Sequence, residues 1–89
     1  MKAVLVRTYS AGVHFGYLAE RRGKEVDLVN SRRIWSWTGR NTLSEIAIGG
    51  VGSGSRVAQP VSITLTEAIE IIDCTPEAIA NLEAATWKA

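Results

Sequence analysis

The first half of the chain alternates between hydrophobic and polar positions in a pattern typical of β-strands. Residues 2–9 (KAVLVRTY) are apolar on both faces, as expected of a well-buried strand. Apolar side chains alternate with other residues in 13–19 (VHFGYLA) and 25–30 (EVDLVN), and the charged residues 20–24 (ERRGK) between them predict a hairpin turn. Residues 32–37 (RRIWSW) predict a fourth short strand. Four antiparallel strands in this order predict a meander or a small half-open barrel.

The period of the pattern changes near residue 42 from that of a strand to that of a helix. The apolar side chains follow the i, i+3, i+4 spacing of a helix at Leu43, Ile46 and Ala47. Thr42 and Glu45 match a capping box, in which each side chain accepts a hydrogen bond from the other residue's backbone. Gly49 and Gly50 can end this short helix, and the glycine-rich run that continues to residue 55 predicts a flexible loop.

The last third of the chain predicts more strand and a C-terminal helix. Residues 60–73 (PVSITLTEAIEIID) are rich in isoleucine and predict two strands or one bulged strand; a helix over 66–73 stays open, because TEAIEII can also wind. Residues 75–86 predict a helix, with Thr75 as the N-cap and Pro76 in the first position. We therefore expect a single α+β domain over residues 1–89: a small antiparallel sheet or half-open barrel with a short middle helix and a C-terminal helix.

Size and charge narrow the classes of function. A chain of 89 residues builds only a small core, and oligomerisation is a natural supplement to it, so we expect a homo-oligomer. The net charge of +1 argues against a DNA mimic and against a general nucleic-acid coat, so we do not expect nucleic acid as a partner. The charge is uneven, however: residues 1–56 carry +5 and residues 57–89 carry −4. A local basic surface is compatible with this distribution.

Residues that most enzymes need are scarce. His14 is the only histidine and Cys74 the only cysteine, too few for a zinc site or a disulfide framework. The glycine-rich run lacks the lysine and the spacing of a phosphate loop, and no nucleophile elbow is present. We therefore expect no enzyme, no catalytic residue, no metal and no cofactor. No apolar run is long enough for a signal peptide or for a membrane span. We therefore expect no signal peptide and no membrane partner, and we expect a cytoplasmic protein.

The candidate site lies in residues 30–50 (NSRRIWSWTGRNTLSEIAIGG). In a strand over 32–37, Arg33, Trp35 and Trp37 share one face, with Arg32 on the other. Indole rings stack on nucleobases and guanidinium groups fork onto phosphate oxygens, so this pattern suits a nucleotide. The predicted ligand-binding residues are Trp35 and Trp37 for the base, Arg32, Arg33, Arg40 and Arg56 for phosphates, Asn41 and Ser44 for ribose or base edges, and His14 and Tyr9 as secondary candidates.

Each of these features also has a purely structural interpretation. Trp35 and Trp37 can be core residues, since a large aromatic side chain in a small domain usually contributes buried area. His14 can be a strand histidine whose hydrogen bonds are satisfied, and the glycine-rich run can be a plain linker. Trp87, near the end of the chain, fits either helix packing or a contact between subunits.

Three segments resemble a family of small phage and prophage proteins of unknown function. They are RTYSAGVHFG (7–16), SRRIWSWTGRNTLSEIA (31–47) and TEAIEIIDCTPEAIANL (66–82), so the resemblance spans nearly the whole chain. It implies a phage gene product made in a bacterial cytoplasm, and it implies no catalytic residues.

Many small phage proteins counter host defence, and some are sponges, oligomers that sequester nucleotide immune signals. By this analogy, the leading hypothesis is a non-enzymatic phage protein that binds a nucleotide-type host immune signal, such as a cyclic nucleotide or an ADP-ribose derivative. The alternative is a phage inhibitor or assembly factor that acts by protein–protein contact through the Trp/Arg face. A third hypothesis is single-stranded nucleic-acid binding by the same face, against which the modest net charge counts.

Overall fold

The computed structural model describes residues 1–86, which fold into a six-stranded sheet and two helices. In chain order, the elements are β1 (Lys2–Thr8), β2 (Val13–Arg22), β3 (Glu25–Ser36), α1 (Leu43–Gly49), β4 (Arg56–Val57), β5 (Val61–Leu65), β6 (Ala68–Asp73) and α2 (Pro76–Ala84). Every pairing between these strands is antiparallel. The predicted α+β class is therefore confirmed. The expectation about Trp87 lies outside the described residues.

The sheet curls because of the way its edges are connected. Its strands lie in the order β4-β3-β2-β1-β6, and β5 also pairs with β3. The first half of β3 pairs with β5, and its last residues pair with β4. β5 and β6 thus belong to opposite edges, yet only Thr66 and Glu67 separate them in the chain. The two edges approach each other at this end, and the end beside β4 stays open, as in the predicted half-open barrel.

Residues 25–36 form one long strand, so the prediction of two separate strands in this region is wrong. Asn30 lies in the left-handed region with φ at 50°, a conformation that asparagine tolerates better than most residues. The register with β2 shifts around it, because Phe15 pairs with Arg32 whereas Tyr17 pairs with Val29. The chain passes this position as a bulge within one strand instead of a turn.

The charged hairpin between β2 and β3 is tighter than predicted. β2 continues to Arg22, so only Gly23 and Lys24 form the turn. Ion pairs join the Arg22 guanidinium to Glu20, Glu25 and Asp27. Charged residues that were predicted to form the hairpin turn therefore pair with one another and with the start of β3 at the exposed end of the two strands.

The local signals for both helices are confirmed. Thr42 Oγ1 accepts a hydrogen bond from the Glu45 N–H at 3.3 Å, and the Glu45 carboxylate accepts one from the Thr42 N–H at 3.1 Å. Gly50 ends α1 with φ at 80°, where glycine is favoured. Thr75 caps α2 through the Ala78 N–H at 3.2 Å. The open question over residues 66–73 is also settled, since β6 is a strand paired with β1.

Both faces of the sheet are buried, which explains why β1 is apolar on both sides. On the helix face, buried side chains of the sheet pack with α1 and α2: Ala3, Leu5, Phe15, Ile34, Ile46, Ala47, Val51, Val57 and Leu82. On the opposite face, the interior of the curl is filled by Val4, Val6, Val26, Leu28, Leu65 and Ala68. The short strand β4 was missed by the sequence analysis, because two residues show no periodicity.

Candidate functional site

An exposed tryptophan and two arginines lie together at the open end of the curl. Ile34 and Val57 are buried on the helix face, so their neighbours Arg33, Trp35 and Arg56 project from the opposite face. The Arg56 guanidinium carbon lies 5.0 Å from the centroid of the Trp35 ring, a cation–π contact. Trp35 is nevertheless 59% exposed. We call Arg33, Trp35 and Arg56 the mouth surface.

Trp37 does not belong to the mouth surface, and the prediction that it shares a face with Trp35 is wrong. β3 ends at Ser36, and the pairing with β4 contains a bulge, because Ile34 pairs with Val57 and Ser36 with the adjacent Arg56. Alternation is lost there, and Trp37 packs against the apolar cluster of the helix face. Its ring therefore contributes to the core, as the structural interpretation of this tryptophan anticipated.

Arg32 is also removed from the predicted set, because its guanidinium is buried among backbone carbonyl groups. It is 7% exposed and donates to the carbonyl oxygens of Val57, Ala58, Leu82 and Glu83 at 2.7–3.2 Å. Leu82 and Glu83 lie in the last turn of α2, which has no basic residue of its own. Arg32 thus supplies the positive charge that a helix C-terminus favours, and it joins β3 to α2.

Arg40 performs the same task for α1. Its guanidinium donates to the carbonyl oxygens of Gly50 at 2.9 Å and Gly49 at 3.3 Å. The last turn of α1 also contains no basic residue. Two of the four arginines predicted to hold phosphate therefore stabilise helix C-termini, while Arg33 and Arg56 lie on the mouth surface.

Asn41 and Ser44 line a different cavity, on the helix face. This cavity has a volume of about 350 Å³, and Trp37, Arg7 and Glu70 also line it. Arg7 and Glu70 form an ion pair across β1 and β6 at 3.4 Å. The predicted residues are thus divided between two faces of the sheet and do not form a single site.

The glycine-rich run, which was predicted to be a flexible loop, makes several hydrogen bonds to the segment that follows β3. In the structure, the Gly52 N–H donates to the Thr38 carbonyl at 2.9 Å, and Thr38 Oγ1 donates to the Ser53 carbonyl at 2.7 Å. Ser55 Oγ accepts from the Thr38 N–H at 3.0 Å. These bonds fasten the loop to the segment that follows β3.

A groove continues from the mouth surface into the interior of the curl. It has a volume of about 270 Å³ and is lined by His14, Ser31 and Arg33 on one side and by Ala58, Gln59, Val61 and Ile63 on the other. His14 is 1% exposed, and its Nε2 lies 2.9 Å from the Ala11 carbonyl oxygen, to which it donates. Burial, together with the nearby Arg33 charge, lowers the pKa of His14. The groove therefore contains a neutral imidazole at neutral pH.

Ser31 is the residue of this region that the sequence analysis missed. It is 1% exposed, and its Oγ has no hydrogen-bond partner among residues 1–86. Gly16, on the neighbouring strand, leaves room for it, because a Cβ at Gly16 would lie 3.1 Å from Ser31 Cα. No local signal marks Ser31, since it lies in the interval between two segments that were predicted as separate strands.

Tyr9 remains apart from the groove. It lies in the turn between β1 and β2, is 77% exposed, and its N–H donates to the Glu67 carbonyl at 3.0 Å. Of the predicted ligand-binding residues, His14, Arg33, Trp35 and Arg56 therefore remain together at this end of the sheet. The structure adds Ser31 to them.

The comparisons with known proteins identify the family but not an activity. A family model described as "Domain of unknown function (DUF6948)" matches residues 1–82, and the chain belongs to this family. No curated protein matches the chain, and no solved structure matches it. Within residues 1–86, no helix has the length and apolar character needed to cross a membrane, and no three His, Cys, Asp or Glu side chains cluster as metal ligands would.

Proposed function

We propose that this chain is a non-enzymatic binding protein that holds a nucleotide-type ligand at the mouth surface and sequesters it. The observation that carries the proposal is the position of Trp35, which stays 59% exposed at the open end of the curl beside two arginines. A small domain gains stability by burying an indole, so its exposure favours a role in binding. The phage origin, the bacterial cytoplasm and the immune-signal identity of the ligand belong to the same proposal.

The chemistry of the mouth surface suits a flat, anionic ligand. A base stacked on an aromatic side chain contributes about 1–3 kcal/mol. The guanidinium groups of Arg33 and Arg56 can each donate two parallel hydrogen bonds to phosphate oxygens. Sequestration needs affinity and no bond cleavage, so these three side chains suffice without a catalytic group. The arginines already carry the charge that a phosphate requires.

A thermal melt with a nucleotide panel tests the proposal. The panel contains cyclic di- and trinucleotides, ADP-ribose variants and a short single-stranded DNA, and the tryptophans report unfolding. A ligand at about 100 times its dissociation constant adds about 2.7 kcal/mol to the free energy of unfolding, which shifts the melting temperature of a small domain by several degrees. We expect one nucleotide class to produce this shift. A panel without any shift would refute the proposal.

Matched variants locate the binding. Trp35→Ala should abolish the shift and leave the protein folded, because Trp35 lies outside both apolar clusters. Trp37→Phe should keep the shift, because Trp37 packs on the helix face. Arg33→Met should weaken binding, whereas Arg21→Met, on the exposed end of β2, should not. Equal loss in Trp35→Ala and Trp37→Phe would contradict the placement.

A protein partner at the same surface is the second candidate function. Trp and Arg side chains are enriched at interface hot spots, and the exposed Val61, which lines the groove beside the mouth surface, adds apolar area next to Trp35 and the arginines. Pull-down of one host protein in stoichiometric amount, lost in Trp35→Ala and kept in Trp37→Phe, would favour this function. A steep loss of DNA affinity with added salt would instead favour single-stranded nucleic acid.

Self-association also belongs to the proposal. A small domain with an exposed Ile69 on the edge strand β6 gains stability from a second copy. Light scattering on the purified chain measures the oligomeric state directly, and the proposal at the mouth surface does not depend on the number of copies.

A further inference from the structure

We infer that the groove beside the mouth surface is a second ring-binding subsite, and that the ligand is a dinucleotide with a bridging phosphate. This inference rests on the proposed function and specifies the class of its ligand. One base stacks on Trp35, the phosphate pairs with Arg33, and the second base enters the groove over Ser31.

The Ser31 hydroxyl is buried without a hydrogen-bond partner in the described chain, which points to a ligand in the groove. Burying a hydroxyl group without a partner costs about 1–3 kcal/mol, so buried polar atoms in folded proteins are nearly always bonded. Ser31 Oγ is an exception among residues 1–86, and Ser31 is one of the residues that line the groove. The ring nitrogen or exocyclic group of a base that enters the groove supplies the missing hydrogen bond.

The chemistry of the groove also suits a base and not a phosphate. Val61 and Ile63 lie two residues apart on β5, so they share a face and form an apolar wall. His14 is buried and its pKa is lowered, so the inner part of the groove contains no full positive charge at neutral pH. Arg33 is the exposed cation of the lining. A flat ring with polar edges fits the interior, and the anionic group remains with Arg33.

The spacing of Ser31, Arg33 and Trp35 along β3 also fits a dinucleotide with a bridging phosphate. Ser31, Arg33 and Trp35 occupy alternate positions of β3 and project from one face. Ser31 and Trp35 are about 13 Å apart along the strand, at about 3.3 Å per residue, with Arg33 midway between them. A mononucleotide stacked on Trp35 places its phosphate near Arg33 and leaves the groove empty. A second nucleoside attached to that phosphate reaches Ser31.

Titration calorimetry with one set of adenine nucleotides and one set of guanine nucleotides tests this inference. Each set compares the mononucleotide (AMP or GMP) with the linear dinucleotide (pApA or pGpG) and with the cyclic form of that dinucleotide. We expect at least one dinucleotide to bind about tenfold tighter than its mononucleotide. Ser31→Ala should remove most of that advantage, about tenfold for one lost hydrogen bond, and leave mononucleotide affinity unchanged. Ser62→Ala, on the other face of β5, is the matched control and should change neither affinity.

The melting temperature of Ser31→Ala distinguishes a ligand-binding serine from a serine that stabilises the fold. Because Ser31 Oγ has no partner in the described chain, Ser31→Ala should leave the melting temperature of the unliganded protein unchanged or raise it. A lower melting temperature together with unchanged dinucleotide affinity would overturn the inference. Equal affinities of mono- and dinucleotides for the original chain would also overturn it and leave the proposed function standing. Binding by none of these probes would overturn the inference, and the thermal melt with the wider nucleotide panel then decides separately whether the proposed function stands.

Discussion

Arginines that look alike in the sequence have opposite roles in this structure. Arg32 and Arg33 are neighbours on β3, but strand alternation places one guanidinium under α2 and the other at the mouth surface. Composition and spacing predicted a basic surface in this region. They could not assign a role to each arginine. The carbonyl groups that accept hydrogen bonds from Arg32 lie in distant segments of the chain, and those that accept from Arg40 lie at a helix end whose position depends on packing.

This division predicts a contrast in stability between two adjacent substitutions. Arg32→Met should lower the free energy of unfolding by about 3 kcal/mol or more, because it removes the donor of four carbonyl groups, two in buried and two in part-buried hydrogen bonds. In a domain of this size, such a loss lowers the melting temperature by more than about 10 °C. Arg33→Met is the control and should change stability little, because its side chain is exposed. Similar melting temperatures for the two variants would contradict the role assigned to Arg32.

At the scale of elements, the predictions that succeeded rest on local chemistry. The capping box of α1 and the Thr75 cap of α2 are encoded within a few neighbouring residues, so the sequence reveals them. The predictions that failed concern pairing between distant segments. The continuity of β3 depends on its partners β2 and β5, and β4 is a strand only because it pairs with the end of β3. Periodicity contains no information about such partners.

The junction between α1 and the following loop shows how an element boundary is enforced by a second element. Asn81 of α2 accepts a hydrogen bond from the Val51 N–H at 2.8 Å and donates to the Val51 carbonyl at 3.0 Å. A Cβ at Gly50 would overlap the Asn81 side chain. Glycine at this position is therefore required both by its backbone conformation and by the contact with α2.

Two glycine substitutions separate these requirements. Gly50 and Gly54 have similar φ angles, 80° and 87°, but a Cβ at Gly54 would meet no atom within 4 Å. Gly54→Ala should therefore lower the free energy of unfolding only by the conformational cost of a positive φ, about 1–2 kcal/mol. Gly50→Ala should lower the free energy of unfolding by at least about 1 kcal/mol more, because the Asn81 side chain must give up its two hydrogen bonds to Val51. Chemical denaturation measures both values, and equal losses would show that the contact with α2 is unimportant.

For the whole molecule, a single sheet joins the two apolar clusters. β1 contributes Ala3 and Leu5 to the cluster on the helix face and Val4 and Val6 to the cluster inside the curl. Neither cluster can be disrupted without disturbing β1, so we expect the chain to unfold in one cooperative transition. The free energy of unfolding then reports on every buried group, including those that titrate.

His14 should make this free energy depend on pH. Its folded pKa lies below the unfolded value of 6.5, so the unfolded chain takes up a proton first as the pH falls. The contribution of His14 to stability is therefore fully present above pH 7, decreases as the pH falls below 6.5, and stops decreasing once the pH passes the folded pKa. The slope can reach at most about 1.4 kcal/mol per pH unit for one proton.

The chain is well suited to this measurement, because it contains one histidine, the side-chain type whose unperturbed pKa lies in this pH range. The positive charge of Arg33, which faces His14 from β3, adds to the cost of protonating the imidazole. His14→Gln retains a donor for the Ala11 carbonyl and should give a free energy of unfolding that is nearly constant between pH 5.5 and 7. If urea denaturation shows the same slope in the variant, the pH dependence arises elsewhere, and the neutral imidazole assigned to the groove is wrong.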